Sequence, residues 1–84
     1  MIERLRTSLD AMRALPGEAL ASTACEPLRG DCADALRLEL DCPQQALSPS
    51  QRERLARLNA LLEESRPAPA ALEQAVHDAW RAIA

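Results

Sequence analysis

The sequence predicts an all-α protein, a bundle of four to five helices in a single domain spanning residues 1–84. Composition is the first reason, because 17 Ala and 14 Leu favour helix and β-branched residues are scarce. Apolar residues also recur at three- and four-residue spacing, which places them on one side of a helix. Prolines separate these segments, and 84 residues allow only one modest core.

The first predicted helix covers residues 2–15. Its apolar residues form one narrow stripe with coiled-coil-like spacing: Ile2, Leu5, Leu9 and Met12. A stripe this narrow suits packing against one partner helix better than deep burial. Pro16 and Gly17 end the helix.

Residues 16–45 form an acidic segment. They hold six acidic residues against two arginines, a net charge of −4. A short helix is expected over 18–24, with turns at Glu26-Pro27 and Arg29-Gly30-Asp31. Asp31 could then cap a helix running through Ala33 to Leu40.

A strand over residues 35–42 is the alternative. Apolar and charged residues alternate strictly there, as in a half-buried strand: Leu36, Leu38, Leu40 and Cys42 against Arg37, Glu39 and Asp41. Composition favours the helix, and a lone strand would need an edge from another chain. We therefore predict a helix, which Pro43 ends.

The helix over 48–65 has the strongest signals in the chain. Ser48 is a good N-cap, Pro49 suits the first helical position, and Gln51 can complete a capping box. Four leucines then share one arc: Leu55, Leu58, Leu61 and Leu62. Two prolines, Pro67 and Pro69, end the run.

The last predicted helix covers 69–83. Its central stripe is Leu72, Val76, Ala79 and Ile83, and a ridge of small residues extends it: Ala71, Ala75 and Ala82. Such a ridge lets a neighbouring helix approach closely. The short connector makes 48–65 and 69–83 an antiparallel hairpin, with helix 2–15 packed across it.

Charges in helix 48–65 oppose the helix dipole. Arg52, Arg54 and Arg57 lie towards its N-terminus, whereas Glu63 and Glu64 lie near its C-terminus. We predict that the acidic segment around Asp31, Asp34, Glu39 and Asp41 folds back against these arginines. The alternative is an acidic partner, which makes Arg54 and Arg57 candidate partner-binding residues.

Trp80 is a third candidate for partner binding. It lies at the edge of the apolar arc of the last helix, so it is either the largest piece of the core or an interface anchor. His77 has Glu73 and Arg81 one turn away, but no nucleophile is expected beside it. We therefore expect no catalytic residues and no enzyme activity.

The three cysteines are spaced C-x6-C-x9-C, at Cys25, Cys32 and Cys42, and His77 is far away in sequence. Structural zinc usually requires closely spaced ligand pairs, which are missing here. We interpret the cysteines as small apolar residues and expect no metal or cofactor. The alternative function is a metal or redox sensor that uses these three thiols.

Residues 47–58, LSPSQRERLARL, resemble the opening of the DNA-binding helix-turn-helix region of LuxR-type regulators. The resemblance implies a tight turn followed by a recognition helix. Here the helix instead runs on to two prolines, and the next helix is Ala-rich with only Arg81 basic. The net charge of −3 also opposes binding to nucleic acid, so we expect none.

The absence of chemical motifs favours a non-enzymatic protein–protein interaction module: an adaptor, small chaperone, inhibitor or regulatory subunit that acts through amphipathic helix faces. The expected partner is another protein, or a second copy in a homodimer. No segment suits a membrane span or a signal peptide, and the odd cysteine number suits reduced thiols. We therefore expect a cytoplasmic location.

Overall fold

A computed structural model describes residues 2–43 and 46–84, and all regular elements within these ranges are helical. They are α1 (Ile2–Arg13), α2 (Gly17–Leu20), a 3-10 turn (Thr23–Cys25), α3 (Glu26–Asp41), α4 (Pro49–Glu63) and α5 (Pro69–Ile83). The predicted all-α class and the C-terminal helical hairpin are confirmed. Met1 lies outside the described residues, as do Gln44 and Gln45 at the end of the acidic segment.

The four longer helices pack in a closed ring. Helix α1 lies against α3 and α5, and α4 lies against the same two helices from the other side. Helices α1 and α5 run antiparallel, because Arg6 contacts Ile83 and Asp10 contacts Trp80. The short α2 packs on α5 at one end of the bundle. The core therefore runs along the centre of the ring, and α3 and α5 occupy opposite corners.

The apolar stripe of α1 is buried more deeply than predicted. Leu5, Leu9 and Met12 are fully buried, and Ile2 is nearly so. The expectation of one partner helix was wrong because α1 lies in the groove between α3 and α5, so two helices cover the same narrow stripe.

Residues 35–41 are helical, in agreement with the predicted helix, but the predicted turns before them are wrong. Glu26-Pro27 and Arg29-Gly30-Asp31 belong to the first turns of α3. Pro27 lies in the first turn, where its missing N–H has no helical acceptor and disrupts nothing. Gly30 lowers helix propensity by roughly 1 kcal/mol, which is too little to end a packed helix.

The capping box at the start of α4 is confirmed. The Gln51 N–H donates to Ser48 Oγ at 3.1 Å, and the Ser48 N–H donates to Gln51 Oε1 at 2.8 Å. Both α1 and α4 end two residues earlier than predicted, at Arg13 and Glu63. In α4 the reason is Glu64, whose extended backbone begins the connector to α5.

Three arginines meet the C-terminal ends of other helices, and one of them, Arg52, is among the three arginines that oppose the α4 dipole. Arg52 at the start of α4 donates to the Leu40 carbonyl in the last turn of α3 at 3.3 Å. Arg6 donates to the carbonyl of Ile83 in α5 at 3.0 Å. Arg29 donates to the carbonyls of Leu20, which ends α2, and Ser22. A guanidinium satisfies unpaired carbonyls there and meets the negative end of the dipole.

The acidic segment packs beside the start of α4 but pairs differently from the prediction. Asp31 forms an ion pair with Arg4 of α1 at 3.5 Å. Arg57 pairs with Glu53 of its own helix at 3.8 Å, as the four-residue spacing predicts. Within the described residues, Arg52 therefore meets a helix end rather than the aspartates of this segment.

Gly17 permits α2 and α5 to approach closely. Its N–H donates to Glu73 Oε2 at 2.5 Å. A Cβ atom at this position would lie only 2.5 Å from the Pro69 carbonyl oxygen, far inside van der Waals contact. The glycine is required here by the neighbouring helix rather than by its own backbone conformation.

Candidate interaction surface

Among the described residues, Leu38 on α3 is the one large hydrophobic residue that is exposed, with 50% of its surface accessible. It lies in a shallow cleft of about 440 Å³ whose other lining residues are charged: Arg4, Asp34, Arg37 and Asp41. Protein interfaces combine a hydrophobic centre with a polar rim, so we take the Leu38 cleft as the candidate surface.

The helical period places Leu38 outside. At 100° per residue, Cys32, Leu36 and Glu39 lie about 100–160° around α3 from Leu38, and all three are fully buried. The alternation of apolar and charged residues hides this in the sequence, because a strand would put Leu36 and Leu38 on one face. Sequence reasoning therefore missed Leu38, although a helix extended over 26–41 would have revealed it.

We define the outer face of α3 as Gly30, Asp34, Arg37, Leu38 and Asp41. All five residues are exposed and share an arc of about 100°. Gly30 adds an unusual feature, since a Cβ atom there would meet nothing within 4 Å. No neighbour in the described chain therefore requires glycine at this position.

The predicted partner-binding arginines are exposed on α4. Arg57 is held by Glu53, whereas Arg54 forms no ion pair or side-chain hydrogen bond with any described residue. Arg54 is therefore the more available of the two cations. Binding of an acidic partner by Arg54 and Arg57 stays a prediction.

Trp80 is half-buried and joins α5 to α1. Its indole N–H donates to Asp10 Oδ1 at 2.6 Å. The Arg13 guanidinium lies 3.6 Å from the centre of the indole ring, within range of a cation–π interaction. The ring also packs against the core. These contacts use both the polar edge and one face of Trp80 within the chain, so its role as an interface anchor stays a prediction.

His77 lines a cleft of about 680 Å³ where α2 meets α5. The other lining residues are Pro16, Gly17, Glu18, Pro69, Ala70, Glu73 and Gln74. The Glu73 carboxylate already accepts the Gly17 N–H, and the lining includes no hydroxyl or thiol. The cleft therefore places no hydroxyl or thiol beside His77.

Helix α3 separates the three cysteines. Cys25 precedes it, Cys32 is buried within it and Cys42 follows it, and 16 residues of helix span about 24 Å. Burial raises the pKa of the Cys32 thiol to about 12. Among residues 2–43 and 46–84, no three His, Cys, Asp or Glu side chains form a group that could hold a metal ion.

The segment that resembles a helix-turn-helix opening forms part of an antiparallel hairpin. Gln51 at the start of α4 donates from Nε2 to the Ala82 carbonyl near the end of α5, at 2.7 Å. Helix-turn-helix motifs instead cross at about 90–120°. Arg81 is the one basic residue of α5, so this helix offers little charge to a phosphate backbone.

Two further findings concern membrane spans and similarity to known proteins. Within the described ranges, no helix has the combined length and apolar character needed to cross a membrane. No protein-family model, curated protein or solved structure matches this chain.

Proposed function

We propose that this chain is a non-enzymatic protein–protein interaction module that binds its partner through the outer face of α3. The half-exposed Leu38 supports this most directly. Complete burial of a leucine contributes roughly 1.5–3 kcal/mol, so covering the exposed half of Leu38 favours association.

The charged rim supports specificity. Arg4 and Arg37 lie beside Asp34 and Asp41 in the Leu38 cleft, so a matching surface must offer both signs of charge around an apolar group. An adaptor, small chaperone, inhibitor or regulatory subunit requires such a surface and no catalytic group. Arg54 and Arg57 provide a second contact region for acidic groups, and a cytoplasmic location is part of the proposal.

Site-specific photo-crosslinking in the native host tests the proposal. A benzophenone amino acid replaces Leu38 in one variant and Ala71 in the control. Ala71 is exposed on α5, the helix at the opposite corner of the ring from α3. We expect a discrete protein adduct from position 38 and none from position 71. Equal adducts at both positions, or none at position 38, would refute the proposed surface.

A further inference from the structure

We propose that the partner on the outer face of α3 is a second copy of this chain, related by a two-fold axis that runs through Asp34. This inference rests on the proposed function and specifies its partner. The two α3 helices pack antiparallel, and each Leu38 lies over Gly30 of the other copy.

The charges of the cleft support self-association. A two-fold interface brings one surface against itself, so that surface must complement its own charges. Arg4 and Arg37 balance Asp34 and Asp41 in the Leu38 cleft. The charges of these four lining residues therefore sum to zero although the chain carries −3, so the cleft itself adds no net repulsion between two copies.

The spacing of Leu38 and Gly30 supports the register. They are eight residues apart, about 12 Å along the helix, and lie within the same arc. Asp34 lies midway between them, so a two-fold axis at Asp34 places each Leu38 opposite the other copy's Gly30. The space beside Gly30 is open and can receive a leucine side chain. This accounts for a glycine in an exposed helix, which nothing within the described chain requires.

This register has one electrostatic cost at the axis. The two Asp34 side chains approach one another at the axis. Arg4 lines the same cleft as Asp34 and supplies a positive charge on each side to offset their repulsion.

Analytical ultracentrifugation of the full chain across a concentration series tests the partner. We expect a dimer that dissociates on dilution. Leu38→Glu should remain monomeric with unchanged helix content, because it places a charge in the interface, whereas Ala71→Glu should dimerise like the wild type. A wild-type monomer at all concentrations would overturn the inference, and so would a dimer that Leu38→Glu leaves intact.

Gly30→Gln separates an interface role from a purely structural one. A longer side chain in an exposed helix should raise the melting temperature of the dilute monomer, since glycine disfavours helix. The same side chain fills the space for Leu38 and should weaken the dimer at least tenfold. A more stable monomer with an unchanged dimer would overturn the register.

Disulfide trapping tests the register directly. In a Cys25→Ser, Cys42→Ser background the remaining Cys32 is buried. Upon copper-phenanthroline oxidation, Asp34→Cys should form a covalent dimer with itself. Gly30→Cys and Leu38→Cys should each stay monomeric alone and form a mixed dimer together. Efficient Leu38→Cys self-crosslinking or no Asp34→Cys dimer would overturn the register.

The mass of the photo-adduct at position 38 distinguishes this inference from the proposed function. An adduct of two copies supports both. An adduct with a different protein supports the interaction surface and overturns self-association. The absence of an adduct overturns both.

Discussion

Gly17→Ala is expected to destabilise the fold because the new methyl group collides with α5. Its Cβ would lie 2.5 Å from the Pro69 carbonyl oxygen and 3.0 Å from Glu73 Oε2. Ordinary contacts begin near 3.4 Å, so α2 must move by about 0.9 Å relative to α5. That movement also lengthens the hydrogen bond from the Gly17 N–H to Glu73.

The magnitude follows from three terms. Overpacking costs about 1–3 kcal/mol, and loss of a partly buried hydrogen bond to a carboxylate costs about 1.5 kcal/mol. Replacing glycine restores about 0.4–1 kcal/mol by restricting the unfolded chain. We expect a net loss of about 3 kcal/mol, which lowers the melting temperature by roughly 12–24 °C in a domain of this size.

Gly30→Ala provides the matched control, because the same substitution meets open space there. It should stabilise the chain by about 0.5–1 kcal/mol. Urea unfolding of dilute protein, followed by circular dichroism, measures both variants. The reasoning is refuted if Gly17→Ala is as stable as the wild type, or if both substitutions change the free energy of unfolding by the same amount.

Three further predictions concern single side chains. Burial raises the pKa of the Cys32 thiol from 9.0 to about 12. As the pH rises, the unfolded chain therefore loses this proton before the folded chain does. The free energy of unfolding should fall between about pH 9 and pH 12. The chain contains no Lys or Tyr to titrate in this window, and urea unfolding of Cys32→Ala should show a flatter dependence on pH. Trp80→Phe should lower the free energy of unfolding by about 1 kcal/mol, because it removes the hydrogen bond to Asp10 and weakens the cation–π contact with Arg13. Purely additive effects in a double-mutant cycle with Asp10→Asn would contradict this. Gln51→Ala should lower the free energy of unfolding by about 1–2 kcal/mol, because it removes a capping hydrogen bond and a hydrogen bond to the end of α5. Gln74→Ala, the control, removes a hydrogen bond within its own helix and should cost less than half as much.

Local signals were sufficient to predict most helices and the hairpin. Ser48, Pro49 and Gln51 specify the start of α4 because a capping box involves only neighbouring residues. The start of α3 was not predictable in the same way. Pro27 and Gly30 favour turns locally, and the packing of α3 against α1 and α4 overrides that preference.

The proposed interaction surface depends on contacts between distant residues, which the sequence pattern does not reveal. In the sequence, Leu38 entered only the alternating pattern of the alternative strand, and the phase of the full α3 helix places it outside. The arginines of α4 were correctly identified as unusual, but Arg52 meets the end of another helix. Such a contact has no signature in local charge spacing, because a backbone carbonyl is present at every position.

The closed ring has a consequence for the order of folding. The α4–α5 hairpin needs only local contacts, whereas α1 reaches α5 through pairs separated by 70 and 77 residues. Closing a loop of that length is slower than forming a hairpin, so we expect the contact between α1 and α5 to form last. Trp80 is the single tryptophan and contacts α1 directly. Its fluorescence therefore reports the closing step of refolding, after circular dichroism has recorded the helices.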